Sequence, residues 1–468
     1  MAILTEILKI HELVRNDLFN EPMSESSKDA LPFTPAGLAK FKRSEMSRGI
    51  DIFWPREDCT RVPFELFFDP ELYQRELDRI FSGPHWQYLA LEEEIPNPGD
   101  YVTTYFGERR VVVNRGPDGE IHAFENRCAH RGAQVVNRIR GNSARFTCPY
   151  HLWCYDHAGN LVAVSQQKGV KGKGGMPDDF ELTGRGLKKL NVARYKSLIF
   201  GTFAEDIMPL ETYIGPTSLR QIDRIMSRPI RVLGYYRQVV EANWKLYAEN
   251  TRDPYHAPLL HLFHVTFGIQ TPAMKGGSYM DAEKKNNCIL VTADAEDASA
   301  HDLLMDQYKT SDKYRPRYKL KDARILGTKR SFDDGITVAI NTIFPSLVVA
   351  QVENAFQIRH LRPKGVEKFE IYWTYFGFDD SDAREAQDKL RLANMIGPAG
   401  FISMEDGEAA RLVQQAVRTQ RGQFAFIEMG GRGEVKDQDH LVQEVAIRGF
   451  WQYYRKVMQF NGDRRDDR

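Results

Sequence analysis

Four residues of this chain could hold a metal centre, and they fall into two pairs: Cys128 with His130, and, after seventeen residues from Arg131 to Thr147, Cys148 with His151. Each pair is expected in a loop, Arg127–Gly132 and Cys148–Trp153, beside the β-prone runs Ile121–Asn126 and Ala144–Thr147. Two thiolates and two imidazoles can hold a [2Fe–2S] cluster with both sulfurs on one iron and both histidines on the other. The same four could hold one tetrahedral zinc. Thiolate and imidazole suit both metals, so residue types alone fit either reading.

Spacing favours the cluster, because a Cys-x-His pair answered by Cys-x-x-His is the pattern of a Rieske centre. A second constellation follows at Glu249-Asn-Thr-Arg-Asp-Pro-Tyr-His256-Ala-Pro-Leu-Leu-His261. Two imidazoles and one carboxylate form a facial triad for mononuclear Fe(II) with positions open for dioxygen. His256 and His261 are five residues apart, roughly 140° around an ideal helix, so a regular helix would not aim both at one metal. Pro258 between them predicts a kinked helix. Asp253 lies close to the His256 face. The carboxylate comes from elsewhere, and Met404-Glu-Asp-Gly-Glu408 offers Glu405, Asp406 and Glu408, among which spacing does not choose. Each could instead be favourable charge at a helix N-terminus. His264, one turn beyond His261, is a rival ligand or a pocket wall. A one-electron cluster beside a mononuclear iron makes joint sense, since dioxygen activation needs electrons delivered singly.

The 468 residues predict about two to four domains and ample core. Lys+Arg and Asp+Glu are equal at 64 each, which favours neither a nucleic-acid nor a membrane partner. Five cysteines are too sparse for a disulfide scaffold and indicate a reducing, cytoplasmic setting. The N-terminal stretch is interrupted by Glu6, Lys9, Glu12 and Arg15 and lacks the core of a signal peptide, and no run is long enough to span a bilayer.

Ile3, Ile7, Ile10, Val14 and Leu18 predict an amphipathic helix, followed by a polar linker over 21–55. Pro70 to Phe81 reads as helix. Short β-prone runs then follow at Tyr101–Phe106, Arg110–Asn114, Ile121–Glu125, Arg145–Cys148, Leu161–Val164 and Leu198–Phe203. Lys171-Gly-Lys-Gly-Gly175 lacks the spacing of a phosphate loop and reads as a surface turn. Further on come a strand at Arg231–Val240, a helix or broken helix from Glu241 to about His264, and a long excursion, a candidate lid, from Met280 to Asp334. Ile336–Gln351, Ala355–Arg362 and Phe369–Phe378, punctuated by Pro345 and Pro363-Lys-Gly365, suggest an antiparallel sheet. Helices are expected from Ser381 to Met395, near Glu408 to Arg418, and from Ala446 to Met458. The fold class is α+β, with 1–55 as helix and linker, 56–84 as a helical part of a catalytic domain, 85–205 as a cluster-bearing β domain and 206–468 as the catalytic domain.

The two constellations, with Asn243-Trp-Lys, Asp253-Pro-Tyr-His256 and His261, together resemble the large (α) subunit of Rieske non-haem iron aromatic-ring-hydroxylating oxygenases over about residues 55 to 460. The resemblance implies an all-β Rieske [2Fe–2S] domain and a catalytic domain with a curved antiparallel sheet flanked by helices. It makes Asp406 the third ligand of the Fe(II). It makes Asp253 an electron-transfer bridge between His151 of one subunit and His256 of its neighbour, within a homotrimer often extended to α3β3 by a small β subunit. Electrons come from an NAD(P)H-dependent reductase, with or without a ferredoxin.

Thr60-Arg-Val-Pro-Phe64, Phe124-Glu-Asn-Arg-Cys-Ala-His-Arg-Gly132, Lys168-Gly-Val-Lys-Gly-Lys-Gly-Gly-Met-Pro177, Gly397-Pro-Ala-Gly-Phe-Ile-Ser-Met-Glu-Asp-Gly407 and Ile427-Glu-Met-Gly-Gly431 are similar to the aryl-carboxylate branch, which includes terephthalate, anthranilate, salicylate and ortho-halobenzoate oxygenases. The implied substrates are an aromatic carboxylate and O2. Arg359 is the candidate carboxylate anchor. His264 and Gln415 are polar pocket candidates, Asn250 is a polar neighbour outside the ligand set, and Leu259, Leu260, Phe263 and Phe344 are candidate walls. The branch contains ring dihydroxylation and salicylate-type monohydroxylation, and both remain open. A Rieske or zinc protein for electron transfer or assembly, without oxygenation, is the remaining alternative.

Overall fold

The computed structural model describes residues 52–55, 59–267, 269–292 and 330–460. Chain contacts divide it into Met1–Arg48 and Gly49–Arg468, and everything described belongs to the second unit. The amphipathic N-terminal helix expected above lies outside the described residues, as does most of the expected excursion, 293–329. Among the described residues no helix is long and apolar enough to cross a membrane.

Three small antiparallel sheets form the first part of the fold. The strands Ile121–Glu125, Arg109–Arg115, Asp100–Phe106 and Arg140–Asn142 lie side by side in that order. Phe146–Thr147, Cys154–Tyr155 and Leu161–Ala163 make the second, and Asn191–Tyr195, Leu198–Thr202 and Gln87–Leu91 the third. Val111, Val112 and Val113 are all buried because the strand has core on both faces. The β-rich expectation holds, though the strands at Arg140, Cys154 and Asn191 are too short or polar to have stood out and the buried strand Gln87–Leu91 was also missed. The stretch Lys171–Gly175 is an exposed turn.

The second part is built on one seven-stranded antiparallel sheet, in the order Ile230–Val240, Phe369–Phe378, Ala355–Pro363, Leu347–Val352, Ile336–Ile343, Asn287–Thr292, Gly276–Met280. The run Ile336–Gln351 is two strands, with Pro345 in the turn between them, where its missing N–H costs no ladder bond. One expectation is corrected here. The excursion from Met280 to Asp334 contains a sheet strand, Asn287–Thr292, whose short apolar core (Cys288, Ile289, Val291) is bounded by polar residues on both sides.

Helices pack against this sheet. Pro70–Arg79 is capped by Asp69, whose carboxylate accepts from Glu71 N and Leu72 N. Its apolar residues join Trp244, Trp373, Phe450 and Trp451 in one aromatic core. At its centre Glu76 is 0% exposed and accepts from Lys245 Nζ (2.6 Å), Trp244 Nε1 (2.7 Å) and Tyr454 O–H. The helix expected near Glu408 starts earlier, at Phe401, and runs to Val417. Ile402, Asp406, Gln414 and Val417 are buried along one stripe. Gly407 lets this helix approach strand Ile230–Val240, for a Cβ there would lie 3.1 Å from Gln238 Nε2.

Candidate metal centres and pocket

Cys128 and His130 sit in a tight loop after strand Ile121–Glu125, closed by Gly132 N donating to Cys128 O at 2.9 Å. Asn126 fixes that loop: its Oδ1 accepts from Val135 N and Val136 N, and its Nδ2 donates to Val136 O. Cys148 and His151 sit in a matching loop, closed by Leu152 N to Cys148 O at 3.1 Å. Both cysteines are buried, whereas His130 is exposed and His151 half-buried. The two thiols are close enough to hydrogen-bond, and burial is the first cause raising the Cys148 thiol above its usual range. The two imidazoles lie 4.7 Å apart, ring to ring, with His130 stacked on Trp153. His151 Nδ1 is buried without a hydrogen-bond partner. This segregated set, sulfurs inward and nitrogens outward, fits a [2Fe–2S] group with a different ligand type on each iron. Tyr155 O–H, 3.1 Å from Cys128 Sγ, adds a hydrogen bond at the sulfur side. Cys154 lies 3.5 Å from Thr147 Oγ1 within its own hairpin.

The second set is drawn from two helical segments. Asn243 caps the helix Trp244–Asn250, its Oδ1 accepting from Lys245 N. The chain then forms two short helices, Ala257–Leu260 and Leu262–Thr266. The break falls at His261 (φ −92°, ψ 79°), not at Pro258. Pro258 occupies the first turn of its helix, where no N–H is needed, so the expected kink is displaced by three residues. His256 and His261 thus flank one short helix, and both point Nε2 at a single oxygen: Asp406 Oδ1 is 3.4 Å from His256 and 3.1 Å from His261.

These three donors all lie within 4.8 Å of one another, and they are the only such group among the described residues. Asp406 therefore separates from its neighbours. Glu405 lies on the outer side of His261, Oε2 to Nδ1 2.8 Å, while exposed Glu408 pairs with Arg411. His256 is matched on its own outer side by Asp253 Oδ2, 3.2 Å from Nδ1, though not aligned as a hydrogen bond. Asp253 Oδ1 accepts from Tyr255 N and His256 N and so holds the turn. Asn250 Nδ2 donates to Asp406 Oδ1 at 2.9 Å and lies 3.2 Å from His256 Nε2. Burial acts to lower the His256 imidazole, but Asp253 and Asp406 outweigh it and raise it to about 10. Burial acts to raise Asp406, and the two imidazoles outweigh it and hold the carboxyl well below its usual range. The set holds positive charge at its centre, where a divalent cation fits in place of the protons.

A pocket opens beside this triad. Its floor comes from residues paired across the sheet, Ile289 with Ile340, Val338 with Val352, and Arg359 with Trp373. Ile396 and Ile402 close it from the helices. Arg359, 8% exposed, lies 4.6 Å over the Trp373 ring, donates one hydrogen bond to Tyr247 O–H at 3.3 Å and leaves Nε unpartnered. His264 and Gln270 also line the pocket. Gln415 does not: it is exposed, and its neighbour Gln414 is the buried amide, accepting from Asn243 N and donating to Phe67 O. Leu259, Leu260, Phe263 and Phe344 are likewise absent from the lining, and Leu259 is 43% exposed. The true walls alternate along strands, a signal present in Ile336–Ile343 but without indication of which strands would meet over the iron.

An inner cluster site carried by β hairpins and a two-histidine, one-carboxylate site in a sheet-and-helix domain define an iron–sulfur oxygenase. Residues 85–173 match the Rieske [2Fe-2S] domain, and residues 224–460 match the ring hydroxylating alpha subunit (catalytic domain). The chain belongs to the family of Rieske-type ring-hydroxylating oxygenase α subunits, whose two domains bind a [2Fe–2S] cluster and a mononuclear iron. It is 43% identical to the anthranilate 1,2-dioxygenase large subunit of Burkholderia cepacia, over 88% of this chain and 96% of that one. Against the terephthalate 1,2-dioxygenase terminal oxygenase α subunit 2 of Comamonas sp. it is 42% identical (87% and 97% covered), and against the salicylate 5-hydroxylase large oxygenase component of Ralstonia sp. 41% (86% and 96%). Naphthalene 1,2-dioxygenase from Rhodococcus sp., solved with indole, superposes with a TM-score of 0.69 at 25% identity, covering 86% of this chain and 95% of the other. The protein is a terminal oxygenase component, working with O2, an organic substrate and a reductase.

Proposed function

We propose that this oxygenase hydroxylates an aromatic carboxylic acid. The observation that carries the reading is Arg359: a buried guanidinium in the iron pocket, stacked on Trp373, with no carboxylate partner among the described residues. A buried charge is ordinarily paired, so its partner arrives with the ligand. The relatives named for anthranilate, terephthalate and salicylate support the same class.

In this reading Cys128, Cys148, His130 and His151 hold the cluster, and His256, His261 and Asp406 hold Fe(II). When bound, the cluster passes electrons singly and the iron binds dioxygen. Arg359 anchors the carboxylate, the aliphatic floor excludes water and fixes the ring, and Asn250 orients Asp406. Asp253 links His256 to His151 of a second copy. Support comes from exposed Tyr150 and Leu152 beside half-buried His151, and from exposed Phe401, Met404 and Leu412 on the Asp406 helix. A head-to-tail homotrimer, a small β subunit and a cytoplasmic setting complete the proposal. Residues 85–205 are the Rieske domain, and 56–84 fold with the catalytic domain of 206–468, as the shared core of Phe67, Phe81 and Trp244 supports.

The test is product analysis with isotopically labelled dioxygen, the iron-loaded protein, a reductase and a panel of benzoates, phthalates and neutral aromatics. Two labelled oxygens in an acid product mean dioxygenation, and one means monooxygenation. Turnover of neutral aromatics alone refutes the reading. Arg359→Gln is expected to raise KM for acids far more than it lowers kcat.

A further inference from the structure

Behind the iron pocket, on the other face of the same sheet, lies a second cavity of about 240 Å³. Side chains alternate along a strand, so Trp373 faces the iron pocket while Tyr372 and Thr374 face the cavity. Arg359 and Arg362 of the neighbouring strand divide in the same way. Among the described residues the two cavities share no lining residue. The opposite wall is the cluster-bearing part of the chain. It comes from strand Asp100–Phe106 and from Asn137, Ile139 and Arg140, which follow the Cys128–His130 loop.

The lining carries a surplus of positive charge: Arg110, Arg140, Arg237 and Arg362 stand against Glu94 and Glu370. Glu370, its side chain 2% exposed, is already shared, accepting from Arg237 Nε at 3.1 Å and Arg362 Nη1 at 3.2 Å. Glu94 accepts from Leu91 N at 3.0 Å and lies 3.8 Å from Arg140, and burial is the first cause raising its carboxyl above the usual range. Arg110 pairs with no carboxylate among the described residues and lies 5.5 Å over the Tyr105 ring. Tyr88 adds a second kind of demand. It is 3% exposed, and its hydroxyl has no hydrogen-bond partner. Burial raises the phenol well above its usual range, so the group stays a donor. Buried hydroxyls are nearly always paired, and a guanidinium surplus beside an idle hydroxyl suits an oxyanion.

We infer that this cavity binds a small dianion, a dicarboxylate or a phosphate, as a second ligand apart from the substrate in the iron pocket. Two negative charges match the excess of arginines over carboxylates. The space exceeds what a single water needs and takes a small organic ion. Seated there, the dianion bridges Arg140 of the cluster-bearing part to Arg237 and Arg362 of the iron-bearing sheet. It therefore ties the two parts of one chain together and stabilises the folded protein by mass action.

The test is calorimetric titration of the holoenzyme in a low-salt amine buffer, at a pH where phosphate is a dianion. The probes are succinate, inorganic phosphate and acetate. The proteins are wild type, Arg140→Gln, Tyr88→Phe and Arg359→Gln. Wild type is expected to bind one dianion per chain, at least about 10-fold more tightly than acetate, with a rise in Tm. Arg140→Gln should weaken that binding about 10-fold, and Tyr88→Phe, which removes only a hydroxyl, about 3- to 10-fold. Arg359→Gln should leave it unchanged. Tighter binding of succinate than of phosphate makes the ligand an organic dicarboxylate, and the reverse makes it a phosphate; both support the site. Absence of dianion binding, acetate bound as tightly as succinate, binding unaltered in both Arg140→Gln and Tyr88→Phe, or binding lost in Arg359→Gln each overturn the inference while leaving the aromatic-acid reading intact.

Discussion

Replacing Lys245 by Met tests the buried network that seats the iron-site helix. Lys245 and Glu76 have side chains 1% and 0% exposed, with Nζ 2.6 Å from Oε1. Burial is the first cause lowering the Lys245 ammonium, and the Glu76 charge opposes it. Removing the ammonium strands a carboxylate that keeps hydrogen bonds only from Trp244 and Tyr454. Breaking one side of such a pair costs about 3–5 kcal/mol. At roughly 2–4 °C per kcal/mol for a domain of this size, the apparent Tm should fall by about 6–20 °C. Adding Glu76→Gln removes the stranded charge while an amide keeps an acceptor for Trp244, so the double variant should regain most of the loss. Because Lys245 opens the helix that ends at Asn250, the single variant should also bind iron more weakly. Calorimetry at fixed scan rate, with iron titration alongside, reads both. A loss below about 2 °C, or a double variant no better than Lys245→Met, would refute the argument that an unpaired buried carboxylate dominates.

Further outcomes follow from the same geometry. Asp406→Ala should remove the mononuclear iron while leaving the visible spectrum of the cluster unchanged; Glu405→Ala should keep the ligand set but weaken iron binding by about 10- to 100-fold, since it loses only the carboxylate that orients His261. Asp253→Asn keeps an acceptor for Tyr255 N and His256 N, so iron and cluster should be retained while reoxidation of the reduced cluster in single-turnover mixing slows by at least about 100-fold; an unchanged rate would remove Asp253 from the electron path. Burial is the first cause pushing His85 down to about 4. Its folded pKa lies below the unfolded value of about 6.5, so its stabilisation is present above that pH and lost as pH falls toward 4, up to about 3 kcal/mol. His85→Gln should flatten the fall of Tm between about pH 6.5 and 4.5, and an unaltered profile would assign that fall to other groups.

Spacing in the chain carried the readings that depend on one loop or one strand. Cys128-x-His130 and Cys148-x-x-His151 each sit in a single loop, and the hydrogen bonds that shape those loops are short-range. The same holds for the strands Ile121–Glu125 and Phe369–Phe378, whose bounds match their β-prone runs. The need for a broken helix between His256 and His261 followed from 100° per residue, although only the backbone revealed that His261, not Pro258, carries the break. Tertiary structure decided whatever depends on partners distant in sequence. Glu405, Asp406 and Glu408 are alike as acids, and the helix rotation that buries Ile402 and Gln414 turns Asp406 to the histidines. That rotation also exposes Gln415. The pocket floor arises from register, which sets Arg359 opposite Trp373 and Ile289 opposite Ile340, residues separated by strands and turns that no local period links. Charge alone marked neither Glu76 nor Lys245 as core residues, because an ion pair becomes burial-tolerant only when folding brings its two halves together.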